Sequence, residues 1–263
     1  PMIIFSRSKS FKKNLIVIVM GLFSKNRDKK IVSFLQKNLL IFIIKKVNNF
    51  IFLGKGEYLL ASKMFPKFKD KFKFIPFGIN LEFWKPSRNY SANEKEYILF
   101  VGNDGNREFE QVIDIANTIK DVKIKIITSH DISKNIVNEN AEVIYGNWHN
   151  DALTDANLKE YYENALLTFI PLKETYQPSG QSVALQSMSL GVPVMITKTM
   201  GFWDIEKFKQ FKNIIFIENN TTENWINLLN STLANHDLLN KISKDSLETV
   251  RNHYNQNDFF KKM

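Results

Sequence analysis

Residues 96–128, EYILFVGNDGNREFEQVIDIANTIKDVKIKIIT, contain the pattern that decides the fold. The apolar run at 96–102 is typical of a buried strand, and the isoleucine-rich run at 122–128 predicts a second strand. The segment between them carries apolar residues spaced for one face of a helix, namely Phe109, Val112, Ile113 and Ala116. A strand, a helix and a strand in this order predict a βαβ unit with parallel strands.

The same alternation continues towards the C-terminus. The patterns predict strands at 141–147, 166–172, 192–197 and 213–218. They predict helices at 154–165, 181–190 and 222–232, with Thr154 capping the first and Thr221 or Thr222 the last. We therefore expect an α/β fold with a doubly wound parallel sheet over residues 96–240, whose ligands bind at the carboxyl ends of the strands.

The first part of the chain predicts a second, smaller α/β unit over residues 1–84. Its strand candidates are MIIFS, LIVIVMGLF, NNFIFLG and FKFIPFG, with helices expected at about 28–46 and 55–64. Residues 85–95 are polar and contain a proline, so they predict a linker. A helical pattern over 241–263 closes the chain, and we expect it to cross back to the first unit.

Charge is distributed unevenly along the 263 residues. The net charge is +9, with +15 in residues 1–95 and −6 in the remainder. This asymmetry predicts an anionic partner for the N-terminal part, either nucleic acid or an anionic membrane surface; the alternative is a solvated lysine surface. The apolar runs at 14–23 and 39–44 are too short to cross a bilayer. The absence of cysteine excludes disulfides and thiolate metal sites and fits a reducing compartment.

The start of the predicted helix 181–190 is a candidate anion site. The first N–H groups of a helix have no internal acceptor, and the helix dipole adds positive potential there. Polar groups and close backbone approach come from Ser179, Gly180, Gln181 and Ser182. Gln186 lies one turn deeper, where it is placed to bind hydroxyl groups. The alternative is an ordinary capped helix without a ligand.

The loop after the first strand has similar geometry. Gly102 permits a tight exit from the strand, and Arg107 is expected to open the next helix and bind phosphate oxygens. An exposed surface arginine is the alternative. The glycine patterns of dinucleotide-binding and P-loop sites are absent, as is a nucleophile elbow. The four histidines are scattered without metal-ligand spacing, so we expect no metal.

Four stretches together resemble the group 1 family of retaining glycosyltransferases with the GT-B fold, relatives of glycogen synthase and sucrose synthase. They are FKFIPFGINLEFWKP at 72–86, ILFVGNDGNRE at 98–108, NLKEYYENALLTFIPL at 157–172 and PSGQSVALQSMSLGVPVMIT at 178–197. The likeness covers roughly residues 50–200. Its order and spacing are specific, whereas each stretch alone is weak.

The resemblance implies a metal-independent transferase that needs no cofactor. It would move a sugar, with retention, from a nucleotide-diphosphate donor to a saccharide or lipid-linked acceptor in bacterial envelope polysaccharide or lipopolysaccharide synthesis. The protein would work in the cytoplasm or at the inner face of the membrane. The implied donor-binding residues are Gly102, Asn103, Arg107, Ser179, Gly180, Gln181, Ser182 and Gln186, with Arg107 also catalytic and Gly78 and Asn80 between the domains.

The sequence departs from the family pattern in three places. Gln186 and a position near Pro178 stand where the family often has glutamates, and Asn103 stands where it has a basic residue. A glutamine binds a hydroxyl without charge assistance. The N-terminal unit has fewer strand candidates than the family, so we expect a truncated N-terminal α/β domain.

Two other functions stay open. A catalytically degenerate GT-B-like module that only binds a nucleotide sugar would also fit the missing glutamates. A basic nucleic-acid binder would fit the charge, but the chain has no RNA- or DNA-binding motif and no stacking platform, so we expect no nucleic-acid partner.

Overall fold

Two parallel β-sheets organise the protein. The computed structural model describes residues 15–23, 30–146 and 153–263, and for 30–36 the backbone alone. Within these ranges, the first sheet has three strands in the order β1 (Ile16–Val19), β2 (Asn49–Phe52) and β3 (Phe72–Phe74). Helices α1 (Lys30–Lys46) and α2 (Lys55–Met64) connect them. The strand candidate MIIFS lies outside the described residues.

The second sheet has six parallel strands in the order β6-β5-β4-β7-β8-β9. Their bounds are β4 Tyr97–Val101, β5 Lys123–Thr128, β6 Ala141–Tyr145, β7 Ala165–Ile170, β8 Val194–Thr197 and β9 Ile215–Ile217. The helices are α3 Phe109–Thr118, α4 Asp155–Glu163, α5 Gln181–Ser189, α6 Thr222–Leu233, α7 His236–His253 and α8 Gln256–Lys262. The predicted doubly wound α/β fold is confirmed.

The strand order reverses between β4 and β7. From β4 the chain builds β5 and β6 towards one edge, and from β7 it builds β8 and β9 towards the other. A parallel sheet forms a crevice at such a switch point, outside the carboxyl ends of the two central strands. The loops after β4 and β7 therefore border the natural ligand site of this fold.

Both faces of the large sheet are covered, which explains its continuous apolar strands. In β4, Leu99 and Val101 belong to the core that includes α4 and α5, whereas Ile98 and Phe100 belong to the core that includes α3 and α6. All five β4 residues are buried. Because successive side chains of β4 point to opposite faces and both faces are buried, every position of the strand is hydrophobic.

The small sheet is covered on one face by helices α1 and α2 and on the other by helix α8 from the end of the sequence. Phe50 and Phe52 pack with residues of α1 and α2 on one face. Ile51 and Leu53 point to the other face, where Phe259 of α8 packs on them. The last helix of the chain thus contacts the first sheet. The division into units at 84, 95 and 240 stays a prediction.

Several predicted boundaries change. Helix α3 begins at Phe109, so Arg107 does not open it; Glu108 N–H donates to the Pro171 carbonyl at 3.1 Å, which holds this stretch outside the helix. Thr154 and Thr221 are the observed caps of α4 and α6. The single helix expected from 241 is two helices that start at 236 and 256. They are separated because the backbone at 254–256 bonds to Ile79.

Candidate functional site

The loop after β4 meets the segment before α5 at the switch point. Asn106 Nδ2 donates to Ser179 Oγ at 2.8 Å. The backbone N–H of Lys173 donates to the Asn106 carbonyl at 2.9 Å. These bonds bring the stretches GNDGNR and KETYQPSGQ to one rim, as the order of the strands predicts.

The start of α5 has no side-chain cap. Gly180 is its N-cap residue with φ +74°, in the left-handed region, and a Cβ there would lie 3.0 Å from Ile170 Cγ2. Ser182 is exposed and Gln186, one turn deeper, is half-buried. The first-turn N–H groups have no acceptor within the helix. Unpaired N–H groups and the helix dipole make this helix end a candidate anion site.

The small sheet forms the opposite wall of this rim. Gln181 is only 4% exposed, and its Nε2 donates to the Leu53 carbonyl at 3.3 Å. Gly54 lies against Pro178, since a Cβ on Gly54 would be 2.8 Å from Pro178 Cβ. The Gln181 amide, expected to face a ligand, is thus turned to the small sheet. The small sheet restricts access to the start of α5 on that side. Ser182 is exposed and remains accessible to a ligand.

The start of α2 makes a second contact across the cleft between the small sheet and the loops at the carboxyl edge of the large sheet. Lys55 N–H donates to the Trp203 carbonyl at 2.9 Å, and its ammonium pairs with Glu206. Gly56 lies so close to the carbonyl of Met200 that a Cβ would be 2.0 Å from its oxygen. The start of α2 is therefore held to the loop after β8 by a backbone hydrogen bond, an ion pair and the close approach of Gly56.

Arg107 is buried, which overturns the alternative of an exposed surface arginine. Its residue exposure is 3%, and its side chain folds over Gly102, where a Cβ would be 2.3 Å from Nε. Nη1 lies 3.2 Å from Asp104 Oδ2, but neither Nη1 nor Nε makes a hydrogen bond. Burial lowers the pKa of the guanidinium, and Asp104 acts in the opposite direction. Two buried donors beside Gly102 thus lack an acceptor.

Asn103 binds within the protein. Its Nδ2 donates to the Gly146 carbonyl at 2.8 Å, and its Oδ1 accepts from Ser129 N–H at 2.6 Å and from the Thr128 hydroxyl at 3.2 Å. The side chain therefore joins the ends of β4, β5 and β6. The role assigned to it at the donor stays a prediction, and its observed contacts favour a structural one.

Sequence reasoning missed the residues after β5. Thr128, Ser129 and His130 line a cavity of about 330 Å³ beside Asn103. His130 Nε2 lies 3.1 Å from the Asn103 carbonyl oxygen, and its ring lies 4.4 Å from that of Phe109. The available signal was their position directly after a strand, at the same carboxyl edge as Gly102.

Gly78 and Asn80 lie where the connection after β3 crosses the end of the chain. A Cβ on Gly78 would be 2.7 Å from the Asn255 carbonyl oxygen. Asn80 Oδ1 accepts from the N–H groups of Glu82 and Phe83 at 3.1 and 3.2 Å, which makes a local turn. Both residues thus shape the connection rather than touch the α5 start.

Among the described residues, no three histidine, aspartate or glutamate side chains are grouped so that they could hold a metal ion. Within the same ranges, no helix has the length and apolar character needed to cross a membrane.

Comparison with known proteins gives structural relatives only. No family model matches the sequence, and no curated protein matches it. Sucrose-phosphate synthase from Thermosynechococcus elongatus superposes with a TM-score of 0.76 at 15% identity, over 97% of this chain and 67% of that one. Anabaena HepE, solved with UDP and glucose, gives 0.72 at 11%, over 95% and 70%.

A third structural relative is about twice as long as the part of it that this chain matches. A variant of S. aureus TarM, solved with fondaparinux, α-GlcNAc-glycerol and UDP, gives a TM-score of 0.71 at 15% identity, over 94% of this chain and 49% of that one. These likenesses show that the chain has the GT-B fold of glycosyltransferases, which confirms the predicted fold class. The chain spans between half and about 70% of these relatives.

Proposed function

We propose that this protein transfers a sugar from a nucleotide-diphosphate donor to a saccharide or lipid-linked acceptor. The observation that carries the proposal is the uncapped start of α5, which meets the Arg107 loop at the switch point of a GT-B fold. Structural relatives were solved with UDP, in one case together with glucose. A diphosphate is the part of such a donor that an uncapped helix start is suited to bind.

The chemistry follows from where charge develops. As the bond to the anomeric carbon breaks, negative charge grows on the leaving diphosphate. The N–H groups at the start of α5 would stabilise this charge, and Ser182 would add a hydroxyl donor. Fixed donors of this kind need no reorganisation during the reaction, and losing one costs about 3 kcal/mol in the barrier.

Arg107 is proposed to supply the fixed positive charge. Its guanidinium is held over Gly102, and its Nε and Nη1 make no hydrogen bond. A phosphate oxygen that enters beside Gly102 would give these donors the acceptor that they lack. This charge takes the place of a metal ion in the proposed mechanism, and Gln186 would bind sugar or ribose hydroxyls.

The finer parts of the proposal come from the family resemblance. We propose that transfer retains the anomeric configuration, requires no metal or cofactor, and serves bacterial envelope glycan synthesis, including lipopolysaccharide. The enzyme would act in the cytoplasm, at the inner face of the membrane when the acceptor is lipid-linked.

A nucleotide-sugar-binding module without turnover is the second candidate. Gln186 offers no carboxylate at the helix, and the Gln181 amide is bonded to Leu53. Binding of UDP-glucose without release of UDP would favour this module, whereas release in the presence of an acceptor favours the transferase.

The test uses charge at the start of α5. Ser182→Glu places an anion where the helix dipole favours it, by about 0.3–1 kcal/mol, so the fold should be retained or stabilised. The same anion repels a diphosphate, so calorimetry should show at least tenfold weaker UDP binding. Ser182→Gln controls for size, and Asn257→Glu puts the same charge at the start of α8, where it should change nothing. Equal UDP affinity in Ser182→Glu and the original protein would refute the proposed site.

A further inference from the structure

The outer face of α1 combines apolar side chains with lysine. Leu39 and Phe42, one turn apart, are 59% and 54% exposed. Lys46 follows one turn later, with Nζ 5.9 Å from the centre of the Phe42 ring. Positions 39, 42 and 46 share one helix face. Apolar side chains bordered by lysines are typical of helices that lie in the head-group region of a bilayer.

Helix α1 and the small unit to which it belongs are strongly basic. The α1 sequence contains no acidic residue, and residues 30–75 carry ten lysines against two acidic residues. One of the two acids, Glu57, is buried and accepts N–H bonds from Gly21 and Phe23 at 2.8 and 2.9 Å. Its charge therefore offsets little of the surface potential. An anionic partner is the electrostatic complement of such a surface.

The helix is fixed in the orientation that exposes these residues. Its inner side chains Leu40 and Ile44 are buried in the core of the small sheet. Lys71 Nζ donates to the Ile44 and Val47 carbonyls at the end of α1, at 2.8 and 2.7 Å. Leu39 and Phe42 thus stay on the outside because the opposite face of α1 is already packed.

We propose that the α1 face, defined by Leu39, Phe42, Lys45 and Lys46, docks on an anionic lipid bilayer. Nucleic acid would pair with the lysines but would not bury the apolar side chains of Leu39 and Phe42. A second copy of the chain, in a twofold pair, would bring the same lysines against each other. A bilayer with anionic head groups satisfies both the lysines and the apolar pair. This inference does not depend on the proposed sugar transfer.

Flotation of the full chain with vesicles tests the proposal. The protein should float with vesicles of phosphatidylcholine and phosphatidylglycerol, less so with phosphatidylcholine alone, and less in high salt. Each lysine near such a surface is worth about fivefold in partitioning, so Lys45→Glu with Lys46→Glu should reduce binding more than tenfold. Phe42→Glu should weaken binding as well.

Phe260→Glu is the matched control, because Phe260 is 57% exposed on α8, which packs on the other face of the small sheet. It should bind vesicles like the original protein. Should Phe42→Glu unfold, Leu39→Glu and the lysine reversals give the same comparison.

The proposal is overturned by failure to float with phosphatidylglycerol, or by vesicle binding that none of the α1 variants changes. A dimer in sedimentation that Phe42→Glu disperses would also overturn it, since the face would then bind a second copy. Calorimetry with UDP, done without vesicles, reports on sugar transfer separately.

Discussion

Gly56→Ala tests how the two sheets hold each other across the cleft. A Cβ at this position would be 2.0 Å from the Met200 carbonyl oxygen, whereas ordinary contacts begin at 3.4 Å, so a backbone must shift by about 1.4 Å. The next residue, Gly201, is packed on Tyr176 and Gln177, with its own Cβ position 2.4 and 2.6 Å from their backbone atoms. The shift should therefore reach the segment before α5.

Two terms set the expected effect on stability. Overpacking costs about 1–3 kcal/mol, and replacing a helical glycine by alanine returns about 1 kcal/mol. The net loss of about 1 kcal/mol should lower Tm by about 2–4 °C in a chain of this size. Catalysis should suffer more, since misplacing a substrate-binding segment by about 1 Å can cost a hundredfold in rate.

The matched control is Leu59→Ala on the same helix, because Leu59 is 55% exposed and lies outside the donor loops. Thermal unfolding, UDP calorimetry and release of UDP from UDP-glucose would be measured on both variants. If Gly56→Ala behaves like Leu59→Ala in all three, the cleft contacts do not position the donor segment and the reasoning fails.

Three other substitutions probe single contacts. Asn106→Ala removes the 2.8 Å bond to Ser179 and should weaken UDP binding about fivefold in calorimetry, the equivalent of one net hydrogen bond. Arg107→Met should leave stability to urea unchanged or raise it by up to about 2 kcal/mol, because it removes a buried charge, while turnover falls at least a hundredfold; undiminished turnover would exclude Arg107 from catalysis. Burial raises the pKa of Glu57 above its ordinary 4.5, so its folded state gains protons more readily than the unfolded chain. The stability that follows from this raised pKa should be present below pH 4.5 and be lost as pH rises through the pKa of Glu57 in the folded protein. Glu57→Gln should remove this pH dependence from the free energy of unfolding measured with urea.

The large sheet was predictable because its signal is local. Continuous apolar runs alternate with helical periodicity from residue 96 onward, and parallel strands then fix which ends carry the loops. Because both loops follow the carboxyl ends of parallel strands, the sequence places the loops after β4 and β7 on one rim, whereas the order of the strands in the sheet comes from the structure. Caps at Thr154 and Thr221 were predictable for the same reason, since each bonds only three residues away.

The side-chain directions at the site were not predictable. Arg107 is buried beneath its loop because the backbone of Glu108 is bonded to Pro171, which follows β7 and is distant in sequence. Gln181 turns to Leu53 because the small sheet packs against the start of α5, and no periodicity encodes that contact. Local patterns thus placed the candidate residues on one rim, and long-range contacts decided which of them remain accessible.

Because α8 packs on the first sheet, this sheet cannot complete its folding until α8 has been synthesised. Ile51 and Leu53 meet Phe259 only after some two hundred further residues have been translated. Until then one face of the nascent sheet stays exposed to water, and such surfaces are prone to aggregation. We expect a requirement for chaperone protection during translation, which would be relieved when α8 has emerged.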